Sequence, residues 1–134
     1  MILYIKEEAL GIKITSAQEV FETLKDLGKA DQETGWLLGF DTNNKEIFRG
    51  CIFTGGLNFA MIDLKILFKR VLVAGCYSFI FIHNHPSGST LASAQDQELT
   101  KKIKQAADIL EVKFLDHIII GGESYASFAE LGLL

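Results

Sequence analysis

His83 and His85 are the residues of this sequence best placed to bind one metal ion together. An almost continuous apolar run over residues 71–82 precedes them, so we expect both to lie at the carboxyl end of a buried strand. Side chains two residues apart on a strand face the same way, and both imidazoles can therefore aim at one point. Neutral imidazole is a common zinc ligand, which makes this pair a candidate zinc site.

Asp96 is the candidate third ligand. Ten residues separate it from His85, and it lies in the first turn of the next predicted helix. Two histidines and one carboxylate leave a fourth position for water, which is the arrangement of a catalytic zinc site. Simpler interpretations stay open on spacing alone. The histidines can line a polar rim, and Asp96 can be the capping-box partner of Ser93, which is predicted to begin that helix.

Glu33 is the candidate general base. Along the strand predicted for residues 33–41, one face is bulky (Thr34, Trp36, Leu38, Phe40) and the other is mostly small (Glu33, Gly35, Leu37, Gly39). Glycine inside a strand often marks a place where a ligand or another backbone comes close. A carboxylate on such a face could therefore act over a substrate groove. The alternative is that Glu33 lies in solvent at the start of the strand.

Capping residues and apolar periodicity predict the elements that position these side chains. Three helices are expected: from the capping box of Ser16 and Glu19 to Gly28, over residues 64–74 behind Asp63, and from Ser93 to about Leu110. Strands are expected at residues 33–41, 46–54, 77–83, 113–121 and 123–127, with a hairpin turn at 41–45, a break at Gly55-Gly56 and a helical turn at 128–131. This order favours an α/β or α+β fold, in which a curved mixed sheet has helices packed outside it.

Composition narrows the class of protein. The 134 residues suit one domain, and 49% of them are apolar, so a substantial core can form. The net charge of −4 disfavours non-specific DNA binding by this domain alone. Cys51 and Cys76 lack metal-type spacing and are expected to be buried free thiols. No signal-peptide core or membrane-spanning run is recognised, so a cytoplasmic protein without membrane contact is expected.

Together, Glu33, His83-x-His85 and Asp96 resemble the JAMM motif of JAB/MPN-domain metalloproteins. The local sequence is most similar to the RadC branch of that family. The similar segments are His83-Asn-His85-Pro86-Ser87-Gly88, Leu57-Asn58 ahead of Phe68-Lys-Arg70, Asp116-His117-Ile118-Ile119, and the tail from Ser127 to Leu134. The similarity covers roughly residues 16–134. The motif is specific because four residues, of three types, must fall at fixed positions in three elements.

The resemblance implies a JAB/MPN-like (cytidine-deaminase-like) fold, expected as a single domain over residues 1–134 with no N-terminal helix-hairpin-helix region. His83, His85 and Asp96 correspond to the ligands of one Zn²⁺ per chain. Glu33 corresponds to the carboxylate that accepts a proton from the water on the metal. Ser93 corresponds to the serine that helps to bind the oxyanion, although the family usually has proline where Ala92 precedes it here.

The function implied is a zinc-dependent metallohydrolase, of metallopeptidase or isopeptidase type, that acts on a protein or peptide substrate. The alternative is a DNA-repair or DNA-transaction accessory module of RadC type, whose zinc is not used for catalysis. Asn84 and Ser87 are further candidates for substrate contact, and His117 is expected to be structural, paired with Asp116 or the backbone. The strand at residues 123–127 is a candidate for pairing in a homodimer.

Overall fold

The computed structural model describes residues 5–55 and 62–134. Residues 1–4, Gly56 and the Leu57-Asn58 segment named above lie outside this range. The described strands are β1 (Thr34–Phe40), β2 (Glu46–Thr54), β3 (Ser78–Asn84), β4 (Lys113–Gly121) and β5 (Ser124–Ser127). The helices are α1 (Ala17–Leu24), which continues into a 3₁₀ helix (Lys25–Lys29), α2 (Leu64–Val73) and α3 (Ala94–Leu110).

The five strands form one mixed sheet in the order β2-β1-β3-β4-β5. β1 pairs antiparallel with both β2 and β3, whereas β3 runs parallel to β4 because α3 connects the two strands. β3 is the central strand and is buried along its whole length, as its apolar sequence predicted. The predicted mixed α/β fold is therefore confirmed. β5 lies at an edge of the sheet, and its pairing in a homodimer stays a prediction.

Two clusters of buried side chains cover the two faces of the sheet. One cluster joins Trp36, Leu38 and Phe40 of β1 to the apolar side of α1. The other cluster packs Leu37 and the aromatic side chains of β3 and β4 against α2 and α3. The alternation predicted for β1 is therefore present. His83 belongs to the face covered by α3, because it lies two residues after Phe81 of the second cluster, and side chains two residues apart on a strand face the same way.

The predicted helix caps are also present. The Ser16 hydroxyl oxygen accepts the amide hydrogen bond of Glu19, and the Asp63 carboxylate accepts that of Lys65. The segment at residues 128–131 is a hydrogen-bonded turn rather than a helix, and it ends at Gly132, whose φ is 72°. Both cysteines are free but only half-buried. None of the helices within the described residues is long and apolar enough to cross a membrane.

Candidate metal centre

The predicted site residues come from three elements that meet at one end of the sheet. His83 and Asn84 end β3, and His85 follows in the loop. Glu33 immediately precedes β1, which is held beside β3 by the pairing of Gly35 with His83. Asp96 is the third residue of α3, the helix that returns over the end of the sheet.

The two imidazoles and the Asp96 carboxylate converge on one point. The Nε2 atoms of His83 and His85 are 2.9 Å apart. Asp96 Oδ1 lies 3.3 Å from His83 Nε2, and Oδ2 lies 3.2 Å from His85 Nε2. Glu33, His83 and His85 also each place one ligand atom within 4.8 Å of the other two, so this group could hold a metal ion. Two carboxylates therefore face one imidazole pair, with Asp96 in direct contact with both rings.

Asp96 is at the same time the capping-box partner of Ser93 that its position suggested. Its Oδ2 accepts a hydrogen bond from the Ser93 amide at 2.8 Å, and the Ser93 hydroxyl oxygen accepts one from the Asp96 amide at 3.0 Å. This complete capping box is compatible with metal binding by Asp96, because the carboxylate still contacts both histidines. The cap instead fixes the orientation of the carboxylate. Ser93 is brought beside the site through these two hydrogen bonds.

The electrostatics of the three converging residues favour a bound cation. Burial acts to raise the pKa of Asp96, but its hydrogen bonds with His83 and His85 outweigh burial and hold that pKa well below its ordinary value. Burial lowers the pKa of His83, against the hydrogen bond with Asp96. The hydrogen bond with Asp96 raises the pKa of His85. A carboxylate and a neutral buried imidazole therefore attract either a proton or a metal ion.

Glu33 is held by a side chain that was expected to contact substrate. Asn84 is fully buried, and its Oδ1 accepts hydrogen bonds from both the amide and the hydroxyl of Thr34 at 2.8 Å. Its Nδ2 donates to the Gln32 carbonyl, also at 2.8 Å. These bonds bracket Glu33 on both sides, so Asn84 holds the backbone of Glu33 and is not exposed to substrate. Its position between two candidate ligands was the only sequence signal for this role.

The glycines of β1 have a different role from the one predicted. A Cβ at Gly35 would lie 2.1 Å from the Phe53 ring, and a Cβ at Gly39 would lie 2.1 Å from Cys76 Sγ. Side chains of the protein, rather than a ligand, occupy the space that glycine leaves. The glycine pattern of β1 therefore reports packing on the strand and does not support a substrate groove. Glu33 itself remains beside the histidines.

Two residues that the sequence did not assign to the site lie next to it. His117 Nε2 is 2.7 Å from His83 Nδ1, and His117 Nδ1 is 2.6 Å from the Thr100 hydroxyl. His117 was predicted to pair with Asp116 or with the backbone, and it pairs with Asp116 through its backbone amide, which the Asp116 carboxylate accepts. The rings of His83 and His117 meet because β3 and β4 pair in parallel, with His117 beside Phe81, two residues before His83.

Comparison with known proteins supports the resemblance. The RadC-like JAB domain family model matches residues 14–133. A UPF0758 protein of Flavobacterium johnsoniae is 38% identical over 122 residues, which cover 90% of this chain and 53% of that protein. A UPF0758 protein of Haemophilus influenzae is 35% identical over 133 residues, which cover 98% of this chain and 60% of the relative. UPF0758 protein YkfG of Escherichia coli is 34% identical over 125 residues, which cover 92% and 79%.

The first two relatives are therefore considerably longer than the part of them that this chain matches. The matched region nevertheless takes in all five candidate site residues, from Glu33 to Asp96. The chain belongs to the RadC-like JAB domain family.

Proposed function

We propose that the protein is a zinc-dependent hydrolase of peptide or isopeptide bonds, with His83, His85 and Asp96 as ligands of one zinc ion. The observation that carries this proposal is the convergence of two imidazole nitrogens and a carboxylate, with the Glu33 carboxylate beside them. Nitrogen and oxygen donors in this number suit zinc, and three protein ligands leave a position open for catalysis. The donor set therefore fits the metal that the family resemblance implies.

Asp96 is the better third ligand of the two carboxylates. It is 2% exposed, it contacts both histidines, and its hydrogen bonds keep it ionised. Glu33 is only partly buried. Burial raises its pKa, the charge of His85 opposes that effect, and the charge of Asp96 adds to it. A raised carboxyl pKa brings a general base closer to the working pH, which suits Glu33 for proton transfer.

A bound zinc ion would supply a Lewis acid that polarises the scissile carbonyl and activates water near neutral pH. The Glu33 carboxylate accepts a proton from the attacking water and delivers it to the leaving nitrogen. Asn84 holds the backbone around Glu33, so the Glu33 carboxylate stays in place after it accepts the proton and until it releases it. The Ser93 oxygen accepts the Asp96 amide, which leaves the hydroxyl proton able to donate to an oxyanion.

An open cavity beside the loop that follows His85 is the candidate place for a peptide-like substrate. It has a volume of about 780 Å³ and lies between the loop after His85, β5 and the C-terminal turn. Its lining includes the apolar side chains Leu91, Leu131 and Leu133 together with Tyr125. The cavity also includes Ser89, whose carbonyl contacts His85. An extended chain in this cavity would contact the loop that follows His85, while the candidate ligands themselves are not among the lining residues.

The test combines metal content with a search for products. Elemental analysis of the purified protein is expected to give close to one zinc ion per chain. Zinc-loaded protein is then incubated with a cell lysate, and mass spectrometry is used to find new amino-terminal or lysine ends. Glu33→Gln is the matched control, and new ends should be absent with it. Zinc binding without any new ends would contradict the hydrolase proposal and favour the DNA-transaction alternative.

A further inference from the structure

The outer edge of β5 lies beside a group of exposed apolar side chains. Leu91, Leu131 and Leu133 are 79%, 58% and 45% exposed, and they line one cavity together with residues 125–127 of β5. β5 is the last strand of the sheet, and no strand within residues 5–55 and 62–134 pairs with its outer side. Apolar side chains gathered in one place on a surface mark an interaction site more often than single ones do. The cavity therefore combines an open sheet edge with an apolar wall.

The pairing of β4 with β5 determines which backbone groups face this edge. The Phe128 amide donates to the His117 carbonyl at 2.9 Å, just beyond the end of β5. In an antiparallel ladder, hydrogen-bonded and non-hydrogen-bonded pairs alternate, so Ala126 exchanges hydrogen bonds with Ile119 and Tyr125 does not bond to β4. The amide and carbonyl of Tyr125 therefore point away from β4, toward the outer edge. They offer one donor and one acceptor to another extended chain.

The two faces of the edge differ in chemistry. The Tyr125 ring contacts Phe21 of α1 with centroids 5.2 Å apart, and its hydroxyl donates to Glu130 Oε1 at 3.3 Å. Ala126 faces the opposite side of the sheet, because side chains alternate along a strand. Among the described residues that line the cavity, only Glu130 is charged. A chain on this edge would thus meet apolar groups and a single negative charge.

We propose that β5 binds a segment of the polypeptide substrate as an added strand, with apolar side chains against Leu91, Leu131 and Leu133 and a basic side chain near Glu130. The role of this segment as substrate rests on the proposed function, whereas the binding of an extended chain does not. In strand addition, backbone hydrogen bonds hold the chain and alternate side chains provide selectivity. The edge of β5 offers the backbone groups, and the cavity wall offers the side-chain contacts.

The register of the sheet places the docked segment level with the metal centre but at a distance from it. Ala126 lies opposite Ile119, and Ile119 lies opposite His83. A strand added to β5 would lie three strand spacings from β3, which is about 14 Å. An extended chain covers about 3.3 Å per residue, so about four or five residues would separate the docked segment from a bond at the ligands. The surface thus selects a segment that flanks the bond.

The side-chain contacts are tested with a fluorescein-labelled octapeptide of alternating valine and lysine. Its affinity is measured by fluorescence anisotropy with the Glu33→Gln protein, so that the peptide is not consumed. Leu131→Ser in this background should weaken binding about 10-fold, because an apolar contact is lost. Ile109→Ser is the matched control, since Ile109 is 82% exposed in the last turn of α3 and lies outside the cavity. Equal affinities of these two variants would overturn the proposal.

The charge preference is tested with the same peptide and its glutamate counterpart, in which each lysine is replaced. Glu130→Gln should weaken binding of the lysine peptide about 2- to 5-fold at low salt, as expected for an exposed ion pair. The glutamate peptide should bind more weakly than the lysine peptide to the Glu130 protein, and the difference should shrink in Glu130→Gln. A preference for the glutamate peptide would contradict the assigned role of Glu130.

Strand addition itself is tested on the backbone. Methylation of the peptide amides should weaken binding about 10-fold, because it removes the hydrogen-bond donors. In the ¹⁵N-labelled protein, the peptide should slow hydrogen exchange of the Tyr125 amide, whereas the Ala126 amide should be protected with or without it. Peptide binding that leaves Tyr125 unprotected overturns the proposal. Protection of Tyr125 without peptide, together with a doubled mass in analytical ultracentrifugation, would also overturn it, because a second copy would then occupy the edge.

The two proposals can fail separately. If the peptide protects Tyr125 but the zinc-loaded wild type produces no new ends in the lysate, the hydrolase proposal fails and the docking surface stands. If new ends are produced but no peptide protects Tyr125, the hydrolase stands and docking on β5 is wrong.

Discussion

The two candidate histidine ligands are neighbours in sequence but occupy unlike surroundings. His83 has a 0% exposed side chain, and its Nδ1 contacts another side chain inside the core. His85 has a 17% exposed side chain, and its Nδ1 donates to the carbonyl of Ser89 in a loop. One ligand is therefore oriented by the packed interior and the other by local loop conformation. We call these the core side and the loop side of the centre, and Glu33 lies on the partly exposed loop side.

The largest expected effect is a loss of hydrolytic rate without a loss of zinc, and it concerns Glu33 on the loop side. Glu33→Gln keeps the shape of the side chain but removes the base, so any hydrolytic rate should fall by about 10²–10⁴-fold. Zinc content and melting temperature should stay near wild type, because the ligand set is intact. Turnover and elemental analysis on the same preparation check both expectations. Loss of zinc in this variant would make Glu33 a ligand, and undiminished turnover would require another base.

His83→Ala and His85→Ala compare the two sides directly. Both variants should lose most of their zinc, as measured by elemental analysis. In the metal-free state they should differ, because His83→Ala removes a buried contact with His117, whereas His85→Ala exposes its loop partner to water. Removing one partner of a buried hydrogen bond costs about 1–3 kcal/mol, which should appear as a lower free energy of unfolding in His83→Ala. Equal stability of the two metal-free variants would contradict the distinction between core and loop sides.

The sequence was sufficient for those parts of the molecule that depend on local signals. Caps at Ser16, Asp63 and Ser93 and the alternation along β1 predicted the elements, and the spacing of His83 and His85 placed both at the end of the central strand. These features arise from residues a few positions apart.

The remaining features depend on contacts between residues that are distant in sequence. His117 meets His83 only because β4 runs parallel beside β3, and Asn84 reaches Thr34, fifty residues away, only because β1 pairs with the other side of β3. Strand order and register were needed to recognise either role. The glycine pattern of β1 was misleading for the same reason, since Phe53 from the neighbouring strand fills the space at Gly35.

Asn84→Ala tests the link between the two sides, since Asn84 lies between both histidines and holds the residues flanking Glu33. The change removes an acceptor from the Thr34 amide and a donor from the Gln32 carbonyl. We expect the free energy of unfolding to fall by about 1–3 kcal/mol, from chemical denaturation. We also expect turnover to fall while zinc stays bound, because Glu33 loses its support and the ligands do not. Loss of zinc together with turnover would show that Asn84 supports the ligands instead.

The smallest expected effect concerns the loop that orients His85. Gly88 has a φ of 86° and donates its amide to the His85 carbonyl, so it closes the turn that leads to Ser89. An added Cβ at Gly88 meets nothing within 4 Å, so Gly88→Ala strains only the backbone, by roughly 1–2 kcal/mol. Gly75 provides a matched control, because its φ is 69°, its Cβ position is equally open, and it follows α2 rather than the site. Both alanine variants should lose similar stability in chemical denaturation. Only Gly88→Ala should also weaken zinc binding, measured by competition with a chromogenic chelator. Relaxation of its turn moves the Ser89 carbonyl that holds His85. Equal zinc affinities in the two variants would mean that the Ser89 contact does not orient His85, and the core side alone would then define the centre.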